Sequence, residues 1–152
     1  MKDESPDELF QYAIRVLAAR AYSEAVLRRK MARRAKPEVV DKVVAQVKEL
    51  GYLEDAKYAE GYARMYAGRW GAAKIRKGLL EKGVARSVID RVLTDIEPET
   101  DSVAEALVLL ERYATRHKGD KPKAVRFLLG RGYALGDALE AWKRYEAEGS
   151  RV

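Results

Sequence analysis

The chain has 152 residues, 36% of them charged, with 30 lysines and arginines against 24 acids and a net charge of +6. That length supports one ordinary core, burying roughly 70% of the unfolded surface, and excludes several independent domains. The absence of cysteine removes disulfides, thiolate catalysis and zinc–thiolate sites. A lone His117 can build neither a histidine metal cluster nor a histidine-based triad, and no apolar run of about 18 residues is present to cross a membrane.

The N-terminus is acidic (Asp3, Glu4, Asp7, Glu8) where a signal peptide would be basic and then apolar, so a cytoplasmic protein is expected. Asparagine is absent and glutamine occurs only at Gln11 and Gln46, a bias that fits a thermophilic source and a GC-rich genome equally. Ser5-Pro6-Asp7-Glu8 predicts a helix start, with a serine cap, proline in the first turn and glutamate three residues after the cap. Phe10, Ile14, Leu17 and Ala21 supply one apolar face. Ser23 predicts the cap of a second helix with Leu27 and Met31 inward and Arg29 and Arg33 outward. Pro37 opens a third, striped by Val40, Val43, Val44, Val47 and Leu50 and ended by Gly51.

Tyr52-Leu53-Glu54-Asp55 reads as a turn with acids where the next helix needs a cap. Tyr58, Ala59, Tyr62, Met65 and Tyr66 form that helix's face, and Gly68 and Gly71 break it. A helix with Ile75, Leu79 and Leu80 inward is closed by Gly83, and one with Ile89, Val92, Leu93 and Ile96 stops before Pro98. Ser102 to Glu105 is another capping-box pattern, followed by Leu107, Leu110 and Tyr113. Asp120 caps a helix with Val125, Leu128 and Leu129 inward, Gly132 closes it, and the last helix carries Ala138, Ala141, Trp142 and Tyr145. No stretch alternates for long enough to argue a strand.

A step of 49 residues maps these elements onto one another. Arg28, Met31, Arg33 and Arg34 become Lys77, Leu80, Lys82 and Gly83, then Arg126, Leu129, Arg131 and Gly132. Val40, Val43, Val44 and Val47 become Ile89, Val92, Leu93 and Ile96, then Ala138, Ala141, Trp142 and Tyr145. The expected fold is all-α: nine helices in three tandem three-helix repeats, 1–51, 52–98 and 99–152, forming one continuous array. Val40, Val44, Ile89, Leu93, Ala138 and Trp142 are expected to face their own repeats' cores. Arg34 breaks the glycine column, and a left-handed arginine would cost about 1 kcal/mol, so the first repeat is expected to end its second helix differently.

The charge is clustered. Residues 20–36, 57–86 and 112–131 each carry seven or eight bases against one or two acids, whereas residues 87–111 carry seven acids against Arg91 and Arg86 lies just before them. Three basic columns survive the 49-residue step: Arg20, Arg69 and Lys118; Arg28, Lys77 and Arg126; Arg33, Lys82 and Arg131. Any one of these is explained by a solvated helix face or a cation at a helix C-terminus. Register across three repeats is not required by solvation, and it points to a surface for a polyanion, either nucleic-acid phosphates or an acidic protein groove. Arg29 adds to this charge. Tyr66 is read as core filling, while Trp70 and Phe127, beside Arg69 and Arg126, have two open readings, base stacking and packing. His117 reads as a helix C-terminal cation or hydrogen-bond donor.

The chain resembles the RecX family, regulators of the RecA recombinase, from about Ala13 to Tyr145. The resemblance rests on Arg20 with Ser23 and Leu27, on Gly51-Tyr52-Leu53-Glu54-Asp55 with Tyr58-Ala59, on Leu80-Glu81-Lys82-Gly83-Val84, and on Arg126-Phe127-Leu128-Leu129 with Arg131-Gly132-Tyr133. Glu54 stands where the family usually has aspartate, Val26 where it often has glutamate, and Arg34 where it often has glycine. The resemblance implies a curved, elongated helical array that binds RecA filaments on DNA and modulates them, usually by inhibiting filament, strand-exchange and coprotease functions in DNA repair, recombination and the SOS response. It implies no catalysis. A monomer without cofactor or metal is expected, and the basic columns predict weak, sequence-independent contact with single- or double-stranded DNA that falls steeply with salt. Arg20, Arg28, Arg29, Arg33, Arg69, Trp70, Lys77, Lys82, Lys118, Arg126, Phe127 and Arg131 are the expected contact residues. Two other classes are open: a basic nucleic-acid-binding module acting without a recombinase, and a metal-dependent nuclease, for which no pair of acids shares a convincing pocket.

Overall fold

The computed structural model describes residues 3–149, so the outermost positions of the first and third expected repeats lie outside the described residues. Among these residues the regular structure is helical: α1 (Pro6–Ala19), α2 (Glu24–Ala32), α3 (Pro37–Glu49), α4 (Asp55–Tyr66), α5 (Ala72–Glu81), α6 (Arg86–Ile96), α7 (Ser102–Arg112), α8 (Ala114–His117), α9 (Lys121–Gly130) and α10 (Leu135–Gly149). A 3₁₀ turn, Glu97–Glu99, carries Pro98 after α6. The all-α expectation holds, with ten α-helices among the described residues in place of nine. The additional one arises because the helix begun at Ser102 breaks at Tyr113 (φ −108°, ψ 32°). The break turns His117 inward, where Nε2 donates to the Leu110 carbonyl at 2.8 Å while Nδ1 accepts the Gly119 N–H at 3.1 Å. One C-terminal carbonyl of α7 thereby gains a donor.

Local chemistry sets most helix ends. Ser5 and Glu8 form the expected reciprocal capping box on α1. Ser23 caps α2 and Asp120 caps α9, each accepting from the backbone three residues on. Two expected caps move. Asp101 rather than Ser102 caps α7, through the Ala104 N–H at 3.0 Å, and Asp55 accepts the Glu24 N–H at 2.8 Å, so it serves the start of α2.

Helices α5 and α9 both end in a left-handed glycine, Gly83 (φ 80°) and Gly132 (φ 93°). Bonds from Gly83 N to Leu80 O and from Val84 N to Leu79 O close the first end, and the bonds from Gly132 and Tyr133 to Leu129 and Leu128 repeat the pattern. Each of these ends is seated on the start of the equivalent helix one repeat earlier, α5 on α2 and α9 on α5. The Lys82 carbonyl accepts the buried Ser23 hydroxyl at 2.6 Å, and the Arg131 and Gly132 carbonyls accept the Gly71 N–H at 2.7 Å and the Ala73 N–H at 3.2 Å. A Cβ on Gly83 would strike Ala25, and one on Gly132 would strike Lys74, which is Ala25 displaced by the repeat step.

This joint explains the exception at Arg34. No positive φ is adopted there, since Arg33 ends α2 in right-handed geometry (φ −80°, ψ −12°) and the Arg34 and Ala35 N–H groups both return to the Met31 carbonyl. The Arg34 carbonyl accepts the Glu4 N–H at 2.9 Å, so the N-terminal segment supplies the donor that a helix start supplies at the other joints. Its side chain meets the Glu4 carboxylate at 2.6 Å and covers the Tyr12 ring at 3.9 Å. An arginine is therefore tolerated where glycine is needed elsewhere.

Packing divides the chain into two compact units. The first is the described part of Met1–Gly61 with Leu79–Asp90, and the second is the described part of Tyr62–Gly78 with Arg91–Val152. In the first, Leu9 and Ala13 of α1, Leu27 and Met31 of α2, and Val40, Val43, Val44 and Val47 of α3 are buried together, joined by Leu53. In the second, Ala106, Leu109 and Leu110 of α7, Ala124 and Leu128 of α9, and Ala138, Ala141 and Trp142 of α10 form the core with Tyr133. Five of the six expected core residues are buried, and Leu93 is only half-buried, on the wall of a cleft. The expected faces also rotate in places. Helix α1 buries Leu9 and Ala13 fully, with Phe10, Ile14 and Leu17 half-buried and packed against the same core, and Ala21 falls beyond its end, exposed. Met65, Leu80 and Leu129 face solvent. Leu80 and Leu129 each follow a fully buried leucine, Leu79 and Leu128, so a stripe drawn one position wide of the true axis takes in the wrong neighbour.

Candidate polyanion-binding surface

The three columns occupy matching local positions. Arg20 caps α1, Arg69 follows α4 and Lys118 caps α8 in left-handed geometry (φ 52°), while Arg33 caps α2, Lys82 follows α5 and Arg131 caps α9. These six stand at helix C-termini, where the dipole favours cations on structural grounds alone. Arg28, Lys77 and Arg126 lie within α2, α5 and α9 one turn earlier, where the dipole argument is weaker. That middle column carries the stronger functional signal.

In the first unit the middle column is neutralised. Arg28 Nη1 meets Asp41 Oδ1 at 2.6 Å and Nε meets Glu24 Oε2 at 2.9 Å, while Lys48 Nζ meets Glu24 Oε1 at 2.9 Å. The hydrogen bond to Asp41, then that to Glu24, raises the Arg28 guanidinium above its ordinary value, and the hydrogen bond from Lys48, then that from Arg28, holds the Glu24 carboxyl below its own despite partial burial. Arg28 thus ties α2 to α3. Arg29 and Arg33 are exposed, and Arg20 lies 5.0 Å over the Tyr22 ring, which also has Lys30 at 5.6 Å.

In the second unit the cations gather with aromatic rings. Tyr66 and Trp70 stack with centroids 3.8 Å apart and planes 3° from parallel. Arg69 lies 5.1 Å over Tyr66 and Lys74 Nζ 4.5 Å over Trp70. Because 3.8 Å leaves no room for a cation between the rings, the order is cation, ring, ring, cation. Arg131 lies 5.0 Å over Tyr113 and 5.1 Å over Phe127, and its Nη1 donates to the Arg69 carbonyl at 3.3 Å. The structure therefore brings Arg69, Trp70, Phe127 and Arg131 together. It adds Lys74, Tyr66 and Tyr113, which the sequence reading left out although Lys74 is four residues from Trp70, the spacing of helical neighbours. One face of Trp70 is covered by Tyr66 and the other by Lys74, and one face of Phe127 by Arg131. Lys77 and Arg126 are exposed, and neither is in an ion pair among the described residues.

Two groups beside this cluster have shifted protonation. Burial pushes the Glu105 carboxyl up, a hydrogen bond from the Gly68 backbone partly offsets it, and Asp101 adds to the rise. Burial, followed by the nearby Glu105 charge, pushes the Tyr133 hydroxyl up. Glu105 lies on a cleft of about 350 Å³ with Trp70, Ile75, Leu93 and Asp137. Among the described residues no group of three or more histidine, cysteine or acidic side chains could hold a metal ion, and no helix is long and apolar enough to cross a membrane.

A family model described as RecX, second three-helix domain, matches residues 55–93, which cover α4, α5 and most of α6. The chain is 43% identical over 142 residues to the regulatory protein RecX of Thermus thermophilus, spanning 93% of this chain and 95% of that protein. It is 33% identical over 157 residues to the regulatory protein RecX of Deinococcus radiodurans, spanning 97% of this chain and 76% of that one. The crystal structure of RecX from Lactobacillus salivarius superposes with a TM-score of 0.81 at 17% identity, covering 93% of this chain and 97% of the other. A second crystal structure, of a regulatory protein RecX, gives a TM-score of 0.74 at 23% identity, covering 91% of this chain and 71% of the other. At those identities the structural likeness carries the fold, an all-α helical repeat.

Proposed function

The chain belongs to the RecX family of regulatory proteins, and from that premise we propose that it docks on RecA filaments on DNA and hinders their turnover or extension. In this reading the repeats 1–51, 52–98 and 99–152 present their cations to a partner that is itself periodic. The observation that carries it is the pair Lys77 and Arg126: equivalent by the repeat step, exposed on α5 and α9, and outside any ion pair among the described residues. Phosphate contacts of this kind are weak singly and depend on salt. Linked along one chain they gain avidity, about 10²-fold or more, without any single strong site.

The test is RecA ATPase on single-stranded DNA, titrated with wild type and with Lys77→Glu/Arg126→Glu. Arg28 is left alone, because Arg28→Glu would set a third acid against Glu24 and Asp41 and disturb the fold. The double variant should keep its helical circular dichroism and need at least tenfold more protein to inhibit. Inhibition at the wild-type concentration by the folded variant refutes this interface. Tight binding to DNA alone at physiological salt, with no effect on RecA, would favour a recombinase-independent nucleic-acid module.

A further inference from the structure

Base stacking has no open ring at Trp70, yet the first unit displays one at Tyr52. The Gly51 left-handed cap (φ 82°) and the bond from Tyr52 N to Val47 O hold its backbone at the end of α3, and the next residue, Leu53, is anchored in the core. The residue is 58% exposed, and among the described residues no other ring stacks on Tyr52 and no cation lies over its face. It borders two adjoining hollows. One of about 190 Å³ is lined by Ile14, Leu17, Ala18 and Tyr52 alone, and one of about 380 Å³ shares Leu17, Ala18 and Tyr52 and reaches Arg20 and Lys57. Tyr52 thus borders both an apolar hollow and a second hollow whose lining includes two cations. Glu54 also lines the larger hollow and sits 3.6 Å from Lys57, an exposed pair weak enough for Lys57 to exchange it for a phosphate.

We propose that this cleft is a nucleotide-stacking site for single-stranded DNA, with a base laid on Tyr52 over Leu17 and Ala18 and the neighbouring phosphate held by Arg20 and Lys57. The cations select a phosphate-bearing occupant, and the apolar hollow beside the ring selects one whose uncharged part is flat. The cap fixes the backbone at Tyr52 before binding, which leaves the side-chain rotamer as the part to be ordered. The proposal rests on the reading that this protein works on DNA, and it places one contact there.

Removing a stacked base or its aromatic platform weakens single-strand binding by about fivefold or more. The full chain is titrated, without RecA, against a fluorescent oligothymidylate and an abasic oligonucleotide of the same length and charge. Wild type should prefer the base-bearing strand at least fivefold. Tyr52→Ala should bind both strands alike while keeping the wild-type salt slope, since it loses no phosphate contact. Tyr52→Trp should retain the preference. Equal affinity of wild type for the two strands, or a preference that survives Tyr52→Ala, overturns the site. A chain that inhibits RecA normally but ignores the bases overturns the stacking site and leaves filament docking standing. A chain that prefers bases through Tyr52 yet never affects RecA upholds the site and removes filament docking.

Discussion

Gly132→Ala tests the repeat joint directly. Gly132 ends α9 at φ 93°, and an added Cβ would lie 2.5 Å from both the backbone nitrogen and the Cβ of Lys74 and 3.0 Å from the Gly71 carbonyl. Two costs combine: a left-handed alanine at about 1–2 kcal/mol, and overpacking against backbone at about 1–3 kcal/mol. Against a total stability of about 5–15 kcal/mol, a loss of about 3 kcal/mol is large. For a chain of this size each kcal/mol shifts Tm by about 2–4 °C, so a drop of about 6–12 °C is expected. Gly119→Ala is the internal control, since Gly119 has φ 72° but nothing within 4 Å of an added Cβ. It should lose only the conformational part, about 1 kcal/mol. Urea unfolding and thermal melts of the two variants measure the difference. If Gly132→Ala costs no more than Gly119→Ala, the close approach of α9 to the start of α5 does not matter to the fold and the joint argument fails.

Val44→Asp should lose on the order of 4 kcal/mol, because an uncompensated charge would enter a core where Val44 is almost fully buried, whereas Leu93→Asp, on a cleft wall, should lose less than half as much by urea unfolding. Arg28→Met should cost about 1 kcal/mol or less at low salt and almost nothing at 1 M salt, since its pairs with Asp41 and Glu24 are partly exposed; a salt-independent loss would mean the side chain acts by packing. Glu105 has its folded-state value raised by burial, so its contribution to stability is fully present below the ordinary carboxylate value and is lost as pH rises through the folded value. Glu105→Gln should therefore melt higher than wild type at neutral pH and converge with it in acid, and an offset independent of pH would refute that sign.

Much of this molecule is local and was legible in the chain. Ser5, Ser23, Asp120 and Gly51 act on the backbone within a few residues of themselves, so cap chemistry identifies the ends of their helices before any packing exists. The valines of α3 recur at helical spacing and end in the core for the same reason. The 49-residue self-similarity, read as repeats, is physically a repeated joint, and Arg34 departs from it where Glu4 supplies the donor. Tertiary structure decided what depends on which surface meets which. It centred the buried face of α1 on Leu9 and Ala13, with Phe10, Ile14 and Leu17 half-buried beside them, and left Met65 in solvent, because neighbouring stripes on one helix are comparably apolar and only the partner helix chooses between them. It broke the helix after α7 so that His117 could reach the Leu110 carbonyl, lent Asp55 to the start of α2, and set Arg28, already one turn from Glu24 on its own helix, against Asp41 of α3. Charge and ring identity are properties of the residues, whereas their partners are properties of the fold. The chain alone therefore revealed basic columns beside aromatics, and only packing could separate Arg28, which is held by acids, from Lys77 and Arg126, which are exposed on their helices.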